Sequence, residues 1–290
     1  MTDESPFALP GKDVALLLER LRALGTLAPE TPETQQRIYY DTFDWRLFAA
    51  GLVLWRQGQG RGARLVLASR INEDTELSAP MPKMVRFARG LQNQALRRRL
   101  QPVLEMRALM PVAEVTIQRR GYRLLNDDGK TVVRVAVDYP VVHTDQDALV
   151  SLAARFHLFG VRGYEDTLVE ARSGLGDESF EAAPGADLLV EALRSIGREA
   201  GGYSSKLDIP LDPEMPADAA TRRILDHLMS TLTANIEGTK ADLDSEFLHD
   251  LRVAVRRTRS ALSQVKQVFD AAFTQKYADE FRWVGEITGP

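Results

Sequence analysis

The 290-residue sequence contains no cysteine and only four histidines, and these absences exclude several kinds of chemistry. Without cysteine there are no disulfides, no iron–sulfur clusters and no thiol nucleophile. The histidines stand far apart, so none of the short-spaced zinc motifs is present. A metal site in this protein would therefore have to be built from carboxylates, which favour hard ions such as Mg²⁺ or Mn²⁺.

The sequence also lacks long apolar runs. The first residues, MTDESPFALPGKD, carry acids where a secretory signal has bases, and no stretch of about 18 consecutive apolar residues occurs. We therefore expect a cytoplasmic protein without a membrane partner. The content of 44% hydrophobic and 27% charged residues is typical of globular protein, so one or two domains are expected.

The formal net charge of -4 averages over segments of opposite sign. Ten basic and two acidic residues lie between Lys83 and Arg123, whereas residues 124–200 contain fourteen acidic and seven basic residues. A further basic segment, HDLRVAVRRTRS, begins at His249. The overall charge therefore does not exclude a polyanionic ligand, although a run of charge is often only a solvated surface.

Five apolar segments predict an antiparallel sheet before residue 145. They are QRIYYDTF, GLVLWRQ, ARLVLASR, AEVTIQRRGYRLL and TVVRVAVDYPVV. The last two are joined by NDDGK, whose Asp-Gly pair favours a hairpin turn. Val133, Val135 and Val137 share one face of the last segment, which is typical of a barrel or of a sheet with one charged face. Helices are predicted within 12–24, 82–100 and 184–200.

A connector rich in proline and glycine, GGYSSKLDIPLDPEMPAD, separates this region from a purely helical one. The strongest helical pattern follows it. An apolar stripe contains Phe247, Leu251, Val255, Thr258, Leu262, Val265 and Phe269, and a cationic arc beside it contains His249, Arg252, Arg256, Arg259 and Lys266. Such a row of cations is favourable when anions lie beside it, which means either acidic residues of a neighbouring helix or a bound phosphate.

The string EFLHDLRVAVRRTRSAL resembles the opening signature of CHAD domains, in which His is followed three residues later by Arg and then by Arg-Arg-x-Arg. The resemblance covers about residues 217–290, the beginning of such a domain, so we expect its basic cleft to be incomplete here. It implies an all-α helical bundle segment that binds inorganic polyphosphate. The residues implied in binding are His249, Arg252, Arg256, Arg257, Arg259 and Lys266.

Upstream, IYYDTFDWRLFAAGLVLWRQ resembles a CYTH domain, a triphosphate tunnel fold in which an antiparallel barrel encloses a triphosphate and divalent metals. The resemblance implies an α+β fold over residues 1–209, with an antiparallel β tunnel or barrel and flanking helices. The residues implied in triphosphate binding are Arg56, Arg119, Arg120 and Lys206, and those implied in metal binding are Glu4 and Asp138. The alternative for these cations is ordinary surface charge.

Several carboxylates of the CYTH pattern are missing. Its first strand carries Glu-x-Glu-x-Lys, whereas Thr2, Glu4 and Pro6 stand at those positions. The Arg-x-Arg strand keeps only Arg56, and VVHTDQDAL is not the acidic strand Glu-x-Glu-x-Glu. Because triphosphate hydrolysis needs several oxygen ligands for Mg²⁺ or Mn²⁺, we expect this domain to have lost catalysis while retaining a basic lining.

These patterns favour a protein that binds inorganic polyphosphate or triphosphate and needs no cofactor for binding. The first alternative is a triphosphatase that depends on Mg²⁺ or Mn²⁺. The second is a nucleic-acid-binding protein that uses the segment Lys83–Arg123 and the C-terminal basic helix. It is weakened because Phe87 and Tyr122 are the aromatic residues available for base stacking in that segment.

Overall fold

The structure of the protein is a computed structural model that describes residues 7–9, 14–70, 75–144, 146, 148–175, 187–265 and 267–289. The chain divides into two compact units. The first comprises Met1–Val103 and Leu109–Ala200, and the second comprises Leu104–Ala108 and Gly201–Pro290. The predicted domain ranges of 1–209 and 217–290 stay a prediction.

In the first unit, the described residues form an antiparallel sheet of ten strands. The strands are β1 (Phe7–Leu9), β2 (Thr26–Pro29), β3 (Glu33–Asp41), β4 (Leu52–Gln57), β5 (Arg64–Ser69), β6 (Thr75–Pro80), β7 (Met110–Leu125), β8 (Thr131–His143), β9 (Leu149–Ser151) and β10 (Ala154–Gly160). Their order is β1-β10-β8-β7-β3-β4-β5-β6, with β2 paired to β7 and β9 paired to β8. The predicted hairpin joins β7 to β8, where Gly129 has a φ of 71°.

Within the described part of the first unit, five α-helices accompany the sheet. They are α1 (Val14–Arg22), α2 (Arg46–Ala49), α3 (Gln94–Leu104), α4 (Glu165–Leu175) and α5 (Leu188–Ser195). Single 3₁₀ turns occur at Gly60–Gly62 and Ala88–Gly90. All five predicted strands and the three predicted helices are therefore present, although the helices are shorter than the predicted ranges and α3 extends to Leu104, beyond its predicted range of 82–100.

Apolar clusters cover both faces of the sheet. On one face Trp55 and Val115 pack with Leu189 and other residues of α5. On the other face Val135 packs with Leu17 of α1, and α4 contributes to the same cluster. Because alternate residues of a strand point to opposite faces, the long strands β7 and β8 supply both clusters. Polar side chains that point to the same faces of the sheet are therefore partly covered by these apolar residues.

The second unit is helical. It contains α6 (Ala217–Lys240), α7 (Ser245–Gln264) and α8 (Ala271–Ile287), and α7 packs against both of the others. The predicted apolar stripe was too long: α7 ends at Gln264, and Val265 has an extended backbone. No helix in the described ranges is long and apolar enough to cross a membrane. The predicted fold class, α+β with an antiparallel sheet followed by an all-α segment, is confirmed.

Candidate functional site

Helix α7 is fixed in place by its cap and its apolar face. The Asp244 side chain accepts hydrogen bonds from the backbone N–H groups of Glu246 and Phe247, which satisfies donors that the first turn leaves open. The residues buried at helical spacing include Phe247, Leu251, Val255, Thr258 and Leu262. Their burial sets the rotation of the helix and therefore which side chains face solvent.

Four basic side chains form a row along α7, which we call the cationic edge. They are His249, Arg252, Arg256 and Arg259, and all four are exposed. Steps of three, four and three residues place neighbours about one turn apart, so the row extends over about 15 Å. Within the part of the chain that the structure describes, no acidic side chain forms an ion pair with any of the four. Acidic residues of a neighbouring helix therefore do not balance this row.

Arg257 and Lys266 were also predicted to bind polyphosphate. Arg257 is half-buried, and its Nη1 donates a hydrogen bond to the backbone oxygen of Ser205 at 3.1 Å, so it ties the connector to α7. Lys266 lies outside the described residues. The predicted role of both residues in polyphosphate binding stays a prediction.

A buried arginine lies at the start of α7. Arg107 donates from Nη2 to Asp250 Oδ2 at 2.7 Å and from Nη1 to Asp244 Oδ1 at 3.4 Å, with its guanidinium 5.4 Å from the ring centre of Phe247. Tyr203 donates to the same Asp250 oxygen at 3.0 Å. Burial raises the pKa of the Tyr203 phenol, so it stays protonated as a donor. This network stabilises the end of α7 from which the cationic edge starts.

A second group of ionisable residues lines a small cavity in the first unit, which we call the sheet pocket. Its lining consists of Arg37, Ile117, Arg119, Asp138, Pro140, Arg155, His157 and Leu188, and its volume is about 30 Å³. Strand pairing explains the cluster. Arg119 of β7 lies opposite Asp138 of β8, which in turn lies opposite Arg155 of β10, so all three point to one face.

Asp138 is at the centre of the sheet pocket. Arg119 donates two parallel hydrogen bonds to its carboxylate, from Nε to Oδ1 and from Nη2 to Oδ2, each 2.7 Å long. Nε2 of His157 lies 3.0 Å from Oδ2. Burial alone would raise the pKa of Asp138, but these hydrogen bonds and nearby positive charge outweigh it and hold the pKa well below its usual range. Asp138 is therefore an ionised carboxylate that orients two cationic or donor groups.

The other pocket residues are also held by neighbours. Arg155 is buried and lies 3.4 Å from Glu191 of α5, measured from Nη2 to Oε2. Arg37 donates from Nε to Gln35 at 2.8 Å, and its guanidinium lies 5.0 Å from the ring centre of Trp55. The His157 ring stacks on Phe159, with ring centres 5.9 Å apart. The pocket is thus preorganised, and arginine outnumbers carboxylate in its lining.

The residues of the sheet pocket do not fit a divalent metal ion. Among the described residues of its lining, Asp138 is the one carboxylate, and both of its oxygens already accept hydrogen bonds from Arg119. Among the described residues, no group of three or more His, Asp or Glu side chains could hold a metal. Glu4, the other predicted metal ligand, lies outside the described residues. The metal prediction for Asp138 stays a prediction, and its surroundings favour a different role.

Three of the four residues predicted to bind triphosphate lie in the first unit, and the structure does not bring these three into one cluster. Arg119 lies in the sheet pocket, whereas Arg120 points to the opposite face, with its guanidinium 5.2 Å from the ring centre of Tyr139. Arg56 donates to the backbone oxygens of Met81 and Pro82, each at 3.0 Å. Lys206 belongs to the second unit. Their role in binding stays a prediction.

Four residues of these sites were not predicted from the sequence: Arg37, Arg155 and His157 in the sheet pocket, and Arg107 in the second unit. One signal was available for two of them: Arg155 and His157 alternate in the apolar segment ARFHLFG, which places both on one face of a strand. Nothing in the local sequence of Arg37 or Arg107 distinguishes it from other arginines. Their roles depend on contacts between distant parts of the sequence.

Comparisons with known proteins agree with the predicted C-terminal domain. The CHAD domain family model matches residues 223–290, which confirms the CHAD resemblance. No curated protein matches the chain.

Solved structures with low sequence identity are similar to about two thirds of the chain. A putative adenylyl cyclase from Hippeastrum, described as having a dominant triphosphatase activity, is 14% identical, covers 68% of this chain and 97% of its own, and gives a TM-score of 0.42. The PH1819 protein from Pyrococcus horikoshii is 16% identical over 65% of this chain and 96% of its own, with a TM-score of 0.36. A putative adenylate cyclase from Vibrio parahaemolyticus is 11% identical over 61% and 91%, with a TM-score of 0.32.

Proposed function

We propose that the protein binds inorganic polyphosphate or triphosphate along the cationic edge of α7. The observation that carries this proposal is the exposed row of His249, Arg252, Arg256 and Arg259, which has no acidic partner among the described residues. Like charges one helical turn apart repel each other. A linear anion with a charge on every phosphate offsets that repulsion along the whole row.

The side-chain types suit phosphate. An arginine guanidinium presents a planar set of N–H donors that can bind two phosphate oxygens at once, and it stays charged at any physiological pH. His249 adds a ring N–H donor one turn before Arg252. The match of residues 223–290 to the CHAD domain family supports the same ligand, because the sequence resemblance implies polyphosphate binding by that family.

We propose that the first unit contributes binding and not hydrolysis. Its sheet pocket contains one carboxylate among the lining residues that the structure describes, whereas hydrolysis of a phosphoanhydride with Mg²⁺ or Mn²⁺ needs a set of oxygen ligands and a positioned water. Binding at the cationic edge needs no cofactor, because the positive charge comes from the protein. A divalent metal would be required only if the first unit hydrolysed triphosphate.

The proposal is tested by titrating labelled long-chain polyphosphate into the protein and measuring fluorescence anisotropy. In a variant with Arg252→Ala, Arg256→Ala and Arg259→Ala, we expect the affinity to fall by at least about tenfold, because the loss of even one hydrogen bond to a charged group costs about 1.5–3 kcal/mol. Circular dichroism should show unchanged helix content, since all three side chains are exposed.

A matched control removes three exposed positive charges from the neighbouring helices of the same unit, by Arg223→Ala, Lys240→Ala and Lys276→Ala. This control changes the net charge equally and should retain most of the affinity. If both triple variants lose affinity equally, the binding depends on net charge and not on the cationic edge. If neither loses affinity, α7 is not the binding surface.

A further inference from the structure

We infer that the second unit pairs with a second copy of this chain through an exposed apolar face of α8, in an antiparallel arrangement about a two-fold axis. The inference goes beyond the proposed function and does not rest on it. It starts from α8 itself, in which no residue is buried. The side of α8 that packs against α7 contains Ala278, Phe281 and Gly285, which are half-buried, and a Cβ atom added at Gly285 would lie 3.8 Å from Val255.

An apolar surface lies beside this contact, and we call it the aromatic face. It consists of Phe273, Tyr277, Trp283 and Ile287, which are between 38% and 59% exposed. At about 100° per residue the four fall within a sector of about 120°. The rings of Phe273 and Tyr277 contact each other, with ring centres 4.5 Å apart. Because a helix of a globular protein normally buries an apolar sector of this width, the aromatic face is suited to a partner.

The size of the aromatic face indicates how strong the pairing is. Its four side chains expose about 400 Å² together, since a large side chain has roughly 150–250 Å² of surface. Single exposed apolar residues are common, but a contiguous patch of this size is often functional. Two such patches remain below the ~1,200–2,000 Å² of a stable interface, so we expect a weak, reversible dimer that forms at high protein concentration. Polyphosphate titrations at lower concentration therefore measure the monomer.

Two charged residues in the same sector identify the partner as a second copy. Lys276 and Glu280 are exposed, and neither has an ion-pair partner among the residues that the structure describes. In an antiparallel pair with its two-fold axis at the height of Ala278, Lys276 of each copy lies at the height of Glu280 of the other. The same axis brings Phe273 of each copy to the height of Trp283 of the other. The surface is therefore complementary to itself in charge and in apolar contacts.

The charges also select the direction of the pairing. In a parallel pair Lys276 would lie beside Lys276 and Glu280 beside Glu280, and like charges at such positions repel each other. The antiparallel pair replaces both repulsions by attraction. It also leaves the cationic edge on another helix, so pairing and anion binding use different surfaces.

Sedimentation equilibrium over a range of protein concentrations tests the pairing. The unmodified chain should show a reversible equilibrium between monomer and dimer. Trp283→Ala should weaken the dimer by at least about tenfold, because tryptophan is among the side chains that contribute most to interfaces. The matched control Met229→Ala removes an apolar side chain of α6 that is 47% exposed and lies outside the aromatic face, and it should leave the equilibrium unchanged.

Charge reversals test the antiparallel geometry. Lys276→Glu alone and Glu280→Lys alone should each weaken the dimer, because each variant places like charges opposite each other. A mixture of the two single variants should form a dimer with one copy of each, since every charged contact then joins opposite signs. A variant that had merely lost its fold would not recover in the mixture.

Three results would overturn the inference. They are a chain that stays monomeric up to its solubility limit, a dimer that Trp283→Ala and Met229→Ala weaken equally, and single charge variants that gain nothing from mixing. If the chain is monomeric and Trp283→Ala weakens only a complex with single-stranded DNA, the aromatic face stacks on bases and does not pair. None of these results bears on the proposed function, because substitution of Arg252, Arg256 and Arg259 tests that function on α7 and should leave the dimer intact.

Discussion

Arg107 is the residue whose environment differs most from what its sequence neighbours suggest. It belongs to the basic segment between Lys83 and Arg123, yet its side chain has 2% exposure and contacts two carboxylates of the second unit. A buried charge is tolerated only when it is paired and hydrogen-bonded. Asp244 also caps α7, and Asp250 also accepts from Tyr203, so one arginine satisfies two carboxylates that have further structural roles.

We predict that Arg107→Gln lowers the stability of the protein strongly. Removing one partner of a buried ion pair leaves the other charge buried, which costs about 3–5 kcal/mol. The midpoint of urea denaturation, followed by circular dichroism, should fall accordingly. Adding Asp250→Asn should recover part of the loss, because it removes one of the stranded charges.

The control for this prediction is Arg99→Gln. It breaks the pair of Arg99 with Glu76, in which the two side chains are 43% and 33% exposed, and such surface pairs contribute about 0–1 kcal/mol. Equal midpoints for Arg107→Gln and Arg99→Gln would show that the Arg107 network contributes little to stability.

At the scale of elements, α6 and α7 meet where Gly238 lies against the ring of Phe247. A Cβ atom added at Gly238 would overlap that ring. Glycine inside a helix costs about 1 kcal/mol relative to alanine, so its presence here needs a reason. The close approach of the aromatic ring supplies it, and Phe247 in turn covers Arg107.

We predict that Gly238→Ala destabilises the second unit, although alanine is the better helix former. Overpacking a buried contact costs about 1–3 kcal/mol, which exceeds the gain in helix propensity. The matched control is Gly285→Ala in α8, where the added Cβ would lie 3.6 Å from Arg259, an ordinary contact. The denaturation midpoint should fall for the first variant and stay or rise for the second. A rise for both would show that α6 can move away from α7 without loss.

The strands and helices show which parts of the fold can be predicted from local sequence patterns. Alternation and helical spacing predicted β7, β8 and the buried face of α7, because alternate residues of the two strands enter an apolar cluster and one stripe of α7 is buried. The same reasoning extended α7 to Phe269, whereas the helix ends at Gln264. The short strands β1, β2 and β9 were not predicted, because three or four residues carry too little pattern and obtain their order from a neighbouring strand.

The two candidate sites also differ in how far the local sequence predicts them. The cationic edge lies on one helix, so its members recur at a fixed spacing that the sequence displays. The sheet pocket unites β3, β7, β8 and β10, and its members meet only through strand pairing. Asp138 and Arg119 are 19 residues apart in the sequence, and no local pattern links them.

Across the whole molecule, charged residues that are grouped along the sequence are not grouped in the same way in the structure. The basic segment between Lys83 and Arg123 is not one patch, since several of its members are engaged internally. Arg99 pairs with Glu76, Arg107 with Asp244 and Asp250, Arg119 with Asp138, and Arg123 with Glu30. This segment therefore offers a polyanion much less free charge than its composition suggests, whereas the cationic edge keeps all of its charge exposed.

This distribution predicts a preference for polyphosphate over nucleic acid. Single-stranded binding surfaces add base stacking on aromatic rings, at about 1–3 kcal/mol per base, to contacts with phosphate. The cationic edge contains no Phe, Tyr or Trp, although Trp283 on α8 is 57% exposed. In anisotropy titrations at the same moderate salt, we expect polyphosphate to bind at least about tenfold more tightly than single-stranded DNA of equal charge, and both affinities to fall with salt.

The variant Trp283→Ala decides between the two ligand classes, because it removes an exposed ring without changing charge. Polyphosphate affinity should be unaffected, since phosphate gains nothing from an aromatic face. If single-stranded DNA binds as tightly as polyphosphate and Trp283→Ala weakens the DNA complex alone, stacking contributes to binding and nucleic acid is the better ligand. If neither ligand responds to Trp283→Ala and polyphosphate binds more tightly, binding depends on phosphate contacts, which the exposed arginines of α7 are placed to make.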